Sequence, residues 1–198
     1  MIVRRFALTV LAATLVAGSC GGDPPPPPPP PAPDQDSLQR VRDSIAAAQR
    51  AAAEAAAREA AERAAAEERE RLVRAARETL EERVYFDYDE SRIRPEAEDL
   101  LRQKAEILRA SPQVRIRIEG HADERGSTEY NLALGNRRAE AIREFLTGFG
   151  LSADRFETVS FGEGRPLRTG SGEEVWAANR RGEFVITAGA NAINPPSR

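Results

Sequence analysis

Two hydrophobic periods alternate along residues 83–187. Val84-Tyr85-Phe86-Asp87-Tyr88 is an aromatic, alternating run that predicts a first strand. Pro95 suits a helix start, and Ala97, Leu100, Leu101, Ala105 and Leu108 then recur at helical spacing. Ser111-Pro112 ends that helix. Val114, Ile116 and Ile118 alternate with Arg115, Arg117 and Glu119, the pattern of a half-buried strand. Leu134, Ala141, Ile142, Phe145 and Leu146 mark the inner face of a helix from about Thr128 to Phe149, closed by Gly148 and Gly150. Phe156, Val159 and Phe161 predict a third strand, and Phe184, Val185 and Ile186 a fourth. A short helix near Glu174 to Asn179 falls between them. The order β-α-β-α-β-(α)-β predicts an α/β (α+β) two-layer sandwich, with helices packed on a mixed sheet.

Upstream, the pattern changes. From Ser37 to Glu82 the chain is mostly Ala, Glu and Arg, with no Gly or Pro. These are strong helix formers. Ser37, after Asp36, is a candidate cap. Glu54–Arg58, Glu59–Arg63, Glu67–Arg71 and Glu70–Arg74 are i,i+4 pairs in the favourable order. Such a helix reaches on the order of 70 Å. Leu38, Val41, Ile45, Ala48, Ala52 and Ala55 keep a 4-3 spacing, but the same register then meets Glu59, Glu62 and Arg69 before Val73, Ala76 and Leu80. A clean coiled-coil seam would not carry those charges, so the reading is a solvated single-helix spacer, with a weak oligomer or a partly disordered segment as the alternatives. Pro24–Pro31, with Pro33, predicts an extended polyproline stalk.

The N-terminus reads as an address. Arg4 and Arg5 precede an apolar run from Phe6 to Ala17, too short to span a bilayer. Ala17-Gly18-Ser19-Cys20 resembles a bacterial lipobox, in which Cys20 is acylated and becomes the mature N-terminus. The next residue is Gly21 rather than Asp, which favours the outer membrane. The expected organisation is a lipoprotein signal (1–19), lipidated Cys20 with a Pro-rich linker (20–36), a helical spacer (37–82), a globular domain (83–187) and a disordered tail (188–198).

Charge and rare residues narrow the chemistry. Lys plus Arg is 29 against 32 Asp plus Glu, a net charge of -3, without the basic field a nucleic-acid binder needs. One Cys and one His exclude an internal disulfide, a Cys-based zinc site and a multi-histidine metal centre. His121, Asp123 and Glu124 are weak as an acid–base or metal group, because close neighbours on one loop seldom converge on one ion. The expectation is a binding domain without metal or cofactor, not an enzyme. Arg138 is more informative. It lies on the stripe of Leu134 and Ile142 that faces inward, where a guanidinium is costly unless paired. Asp123 is a candidate partner, in a structural bridge or in a ligand site.

Gly120-His121-Ala122-Asp123-Glu124-Arg125-Gly126-Ser127-Thr128-Glu129-Tyr130-Asn131, followed by Leu134-Gly135-Asn136-Arg137-Arg138-Ala139, resembles the OmpA-like peptidoglycan-binding domain family, in the form carried by peptidoglycan-associated lipoproteins. Val84 to Asp89, Val159 to Glu163 and Asn179-Arg180-Arg181 support the resemblance. It implies a wall anchor that holds the diaminopimelate stem peptide of peptidoglycan. By the resemblance, Asp123 takes the ligand ammonium and Arg138 its carboxylate, with Arg125, Asp89 and Tyr88 in contact and Asn131 and Leu134 lining the pocket. Arg180 and Arg181 read as structural. The implied partners are peptidoglycan, outer-membrane lipid through acylated Cys20, and Tol-system proteins. The implied location is the outer membrane, facing the periplasm, within the Tol–Pal system or as a general anchor outside it; a structural envelope spacer is the further alternative.

Overall fold

A computed structural model describes residues 34–196. The signal segment, Cys20, the Pro24–Pro31 run and the last two residues lie outside the described residues. The chain divides into two units, Met1–Ala53 and Glu54–Arg198. Among the described residues, no helix is long and apolar enough to cross a membrane.

The first helix, α1, runs Gln35–Glu81. Its start is capped by Asp34, whose carboxylate accepts the Ser37 backbone N–H at 2.5 Å, rather than by Ser37. Leu38, Val41 and Ile45 are exposed. The later turns differ: Ala76 and Leu80 are buried, and Val73 packs beside them.

The second unit continues with β1 (Val84–Tyr85), α2 (Pro95–Ala110), β2 (Arg115–His121), α3 (Thr128–Gly148), β3 (Phe156–Gly162), α4 (Glu173–Asn179) and β4 (Arg181–Ala188). The strands form one sheet in the order β1-β4-β2-β3. The β2–β3 pair is parallel, joined through α3, and β4 lies antiparallel to both β1 and β2. This is the expected layered α/β arrangement. The first strand is shorter than its alternation predicts, because past Tyr85 the chain leaves the ladder; Phe86 N–H still donates to the Arg180 carbonyl.

Ile116, Ile118, Phe156 and Phe184 from the sheet meet Leu101, Leu108, Ile142 and Leu146 from the helices in one core. Gly120 lets β2 and α3 touch backbone to backbone: a Cβ there would stand 1.8 Å from the Gly135 carbonyl oxygen. Arg117, Glu119 and His121 alternate onto the opposite face of the sheet.

Two expected boundaries are corrected. The globular unit does not begin at residue 83, since Ala76 and Leu80 belong to its core. Lys104, fully buried, caps the end of α1 by donating to the carbonyls of Thr79 (2.6 Å), Leu80 (2.8 Å) and Glu82 (2.7 Å). Nor is the tail disordered from residue 188. Gly189, at φ 73°, turns the chain over Gln113, and Ile193 then enters the core at 3% exposure. Asn194 N–H donates to Ser111 Oγ at 2.8 Å, and Arg77 donates to the Ala190 carbonyl.

Candidate functional site

The loop between β2 and α3 carries Asp123 and Arg125, and α3 begins where Ser127 Oγ accepts the Tyr130 N–H. Asp123 is 4% exposed. Arg125 grips it through two side-chain bonds, Nε to Oδ1 at 3.0 Å and Nη2 to Oδ2 at 2.7 Å. The Arg125 backbone N–H adds a third, at 3.1 Å. Buried Arg180 approaches the same carboxylate at 3.5 Å and donates to Glu173 at 2.7 Å. Burial pushes the Asp123 carboxyl up, but the bonds from Arg125 and Arg180 outweigh it and hold the group below the ordinary carboxylate range.

Arg138 is fully buried and does not form the expected bridge to Asp123. Its guanidinium donates to three backbone carbonyls: Glu90 at 2.8 Å, His121 at 2.7 Å and Asp87 at 3.0 Å. Desolvation lowers its pKa to about 10, against the pull of Asp123. Arg138 therefore ties the loop after β1 to the end of β2 while keeping its positive charge.

All seven ligand residues expected from the sequence meet at one small cleft of about 80 Å³, lined by Tyr88, Asp89, Asp123, Arg125, Asn131, Leu134 and Arg138, together with Gly126 and Tyr130. The cleft has room for the end of a side chain, not for a whole glycan unit. Asp89 sits at φ 56°, a conformation that Asp tolerates better than most side chains. Its carboxylate accepts a short hydrogen bond from Tyr130 Oη. Asn131 donates to the Arg125 carbonyl and to Glu163, so it braces the loop that carries Asp123. Leu134 is a buried apolar wall.

Three neighbours are absent from the sequence expectation. Arg125 is stacked between two rings, with its guanidinium carbon 3.9 Å from the Tyr88 centroid and 4.2 Å from that of Trp176. Trp176 also donates through Nε1 to Glu124, which fixes α4 against the loop. Tyr130 lies inside the motif but carries no obvious charge chemistry in sequence. Arg180, read as structural, reaches the carboxylate at the centre of the site. Trp176 has no motif around it; its one signal is being the sole tryptophan in a loop-rich stretch.

The imagined group of His121, Asp123 and Glu124 does not assemble. Asp123 faces Arg125 and Arg180, Glu124 faces Trp176, and His121 points to the other side of the sheet.

Residues 85–180 match the OmpA family. A peptidoglycan-associated lipoprotein of Brucella melitensis biotype 1 is 47% identical over 105 residues, covering 53% of this chain and 62% of the relative. One from Pseudomonas aeruginosa is 50% identical over 100 residues, covering 50% and 59%. The chain thus spans about three fifths of the length of these curated relatives. The crystal structure of the peptidoglycan-associated lipoprotein from Burkholderia pseudomallei aligns with a TM-score of 0.52 at 44% identity, over 53% of this chain and 89% of that one. The C-terminal domain of Helicobacter pylori MotB, at 20% identity and TM-score 0.52, shares the fold.

Proposed function

From the premise that the chain belongs to the OmpA family, we propose that it is an outer-membrane lipoprotein that binds peptidoglycan without covalent linkage and so ties the membrane to the cell wall. The observation that carries this reading is the convergence of Asp123, Arg125 and Arg138 on one cleft sized for the end of a side chain. The free end of diaminopimelate bears an ammonium and a carboxylate on one carbon. A carboxylate and guanidinium groups on facing walls complement that zwitterion.

Within this reading, Asp123 receives the ammonium and Arg138 holds the ligand carboxylate through the N–H groups not turned to its backbone carbonyls. Arg125 already occupies Asp123, so the ammonium must share or displace it. The stacked rings of Tyr88 and Trp176 keep Arg125 beside the site when it shifts. Cys20 would carry the acyl anchor, and the proline run with α1 would supply reach. A place in the Tol–Pal system, with Tol proteins as partners, is part of the same proposal; co-purification of those proteins with the chain from envelope extracts checks it.

Calorimetric titration of residues 54–198 with a diaminopimelate stem peptide tests the core of the reading. A lysine-containing peptide, which lacks the terminal carboxylate, is the control. Binding of the first alone is expected. Equal binding of both removes Arg138 from the ligand's recognition, and binding of neither removes the ligand.

A further inference from the structure

His121 is 1% exposed, and both of its ring nitrogens lack a hydrogen-bond partner among the described residues. Leaving a buried polar atom unsatisfied costs about 1–3 kcal/mol. The Arg165 carbonyl takes its hydrogen bond from Arg181, at 3.1 Å. Phe161 covers the ring at 5.6 Å. What His121 does face is a pair of carboxylates. Glu119 lies two residues before it on the same face of β2, and Glu183 stands opposite Glu119 on β4. Donor atoms of the three side chains lie within 4.8 Å of one another.

We propose that Glu119, His121 and Glu183 form a binding site for a zinc-class divalent cation on the sheet face away from the peptidoglycan cleft. One imidazole nitrogen and two carboxylate oxygens, with a fourth position left to water, suit zinc better than the all-oxygen cations calcium and magnesium. Zinc bonds of about 2.1 Å place tetrahedral donors about 3.4 Å apart, so the side chains need only draw together by modest torsions.

The existing ion pairs leave donors free. Arg83 and Arg181 both bond Glu183 through Oε1, at 2.8 and 2.7 Å, which leaves Oε2 for a metal. Glu119 is 8% exposed, and its ion pair with Arg117 is a loose 3.6 Å. Arg83 and Arg117 are part-exposed and can turn toward water, whereas Arg181 is buried and stays. Its charge sets the expected affinity in the micromolar rather than the nanomolar range. A bound ion would clamp β2 to β4 and satisfy the orphaned ring.

The test uses the full chain without a histidine tag, stripped of metal and returned to chelator-free buffer. Titration with zinc chloride is expected to saturate at one ion per chain and to raise the thermal midpoint, while magnesium does neither. His121 is the one histidine, so the imidazole 15N signals read this site alone. Zinc should move one ring nitrogen to a metal-bound shift. Glu119→Gln and Glu183→Gln preserve shape, and each should weaken zinc binding at least tenfold. A chain that binds no zinc, or binds it with the ring signals unmoved, overturns the proposal, as does unchanged affinity in both glutamine variants. If a variant fails to fold, the ring shift of the parent chain decides.

Discussion

At Arg138 a single guanidinium closes the carbonyls of Asp87, Glu90 and His121, so its charge serves the fold before it serves a ligand. Arg138→Ala strands those carbonyls in a buried place, and we expect it to lower stability by about 3 kcal/mol or more in urea unfolding. Loss of ligand binding in that variant would therefore report structure as well as contact. Arg125 is a second probe. Its side chain holds the buried Asp123 carboxylate by two bonds, so Arg125→Ala should lower the thermal midpoint and, because Asp123 loses the bonds that orient it, weaken stem-peptide binding about tenfold, read by calorimetry. His121 makes a separate prediction. Burial lowers its pKa from 6.5 to about 4, so the folded chain holds it neutral where the unfolded chain takes up a proton. Its contribution to stability is full above pH 6.5 and is lost as pH falls from there through 4, for a total of about 3 kcal/mol. Urea midpoints across that window should show the fall, and a flat profile from pH 7 to 5 would contradict it. The sequence pattern places His121 on a loop; the structure puts it at the end of β2, with its ring beside that of Phe161, far along the chain.

Among the elements, the pieces of the sheet and the helices α2, α3 and α4 follow from local period, since each presents one apolar face to one core. Pairing does not follow from period. Nothing near Glu119 in sequence announces Glu183 as its neighbour, and only the antiparallel β2–β4 register brings them together. The same holds for β2 and α3, whose contact rests on the absence of a side chain. Gly120→Ala would drive a methyl group into the Gly135 carbonyl, backbone that cannot turn aside. The expected outcome is a destabilised chain, by about 3 kcal/mol or more, visible as a lower thermal midpoint or loss of soluble protein. The helix α1 was legible as a helix but not as part of the core. Its helix-forming composition continues without a break to Glu82, and the change from exposed to buried turns leaves only Val73, Ala76 and Leu80 as a trace. Leu80→Ala should cost about 3 kcal/mol, whereas Leu38→Ala, at a position 44% exposed, should change stability by less than about 0.5 kcal/mol. Equal effects would return the end of α1 to the spacer.

For the molecule as a whole, the candidate site was legible where the motif is contiguous, from Gly120 to Ala139, and much less so where chain reversal completes it. Arg180 and Trp176 arrive from the segment around α4, and their role depends on how that segment folds back over the loop. The same dependence on distant chain decides where the folded unit starts. Lys104 is buried against the carbonyls that end α1, and burial lowers its pKa to about 7 despite the nearby charges of Glu82 and Glu81. Remove residues up to 82 and the ammonium loses all three of its acceptors, the carbonyls of Thr79, Leu80 and Glu82. The core also loses Ala76 and Leu80. A chain starting at residue 83 should therefore be less stable than one starting at residue 54 by more than about 4 kcal/mol, the sum of a lost buried Leu and the lost hydrogen bonds of the Lys104 ammonium. A chain starting at residue 54 should unfold at the same urea concentration as the full chain, because the unit Glu54–Arg198 retains every one of these contacts. If the shorter chain matched the longer, Leu80 and the Lys104 cap would be adding nothing, and the end of α1 would be a tether that merely lies against the domain. If it unfolds first, as these contacts require, any force carried along α1 enters the domain through its core rather than through a loose joint.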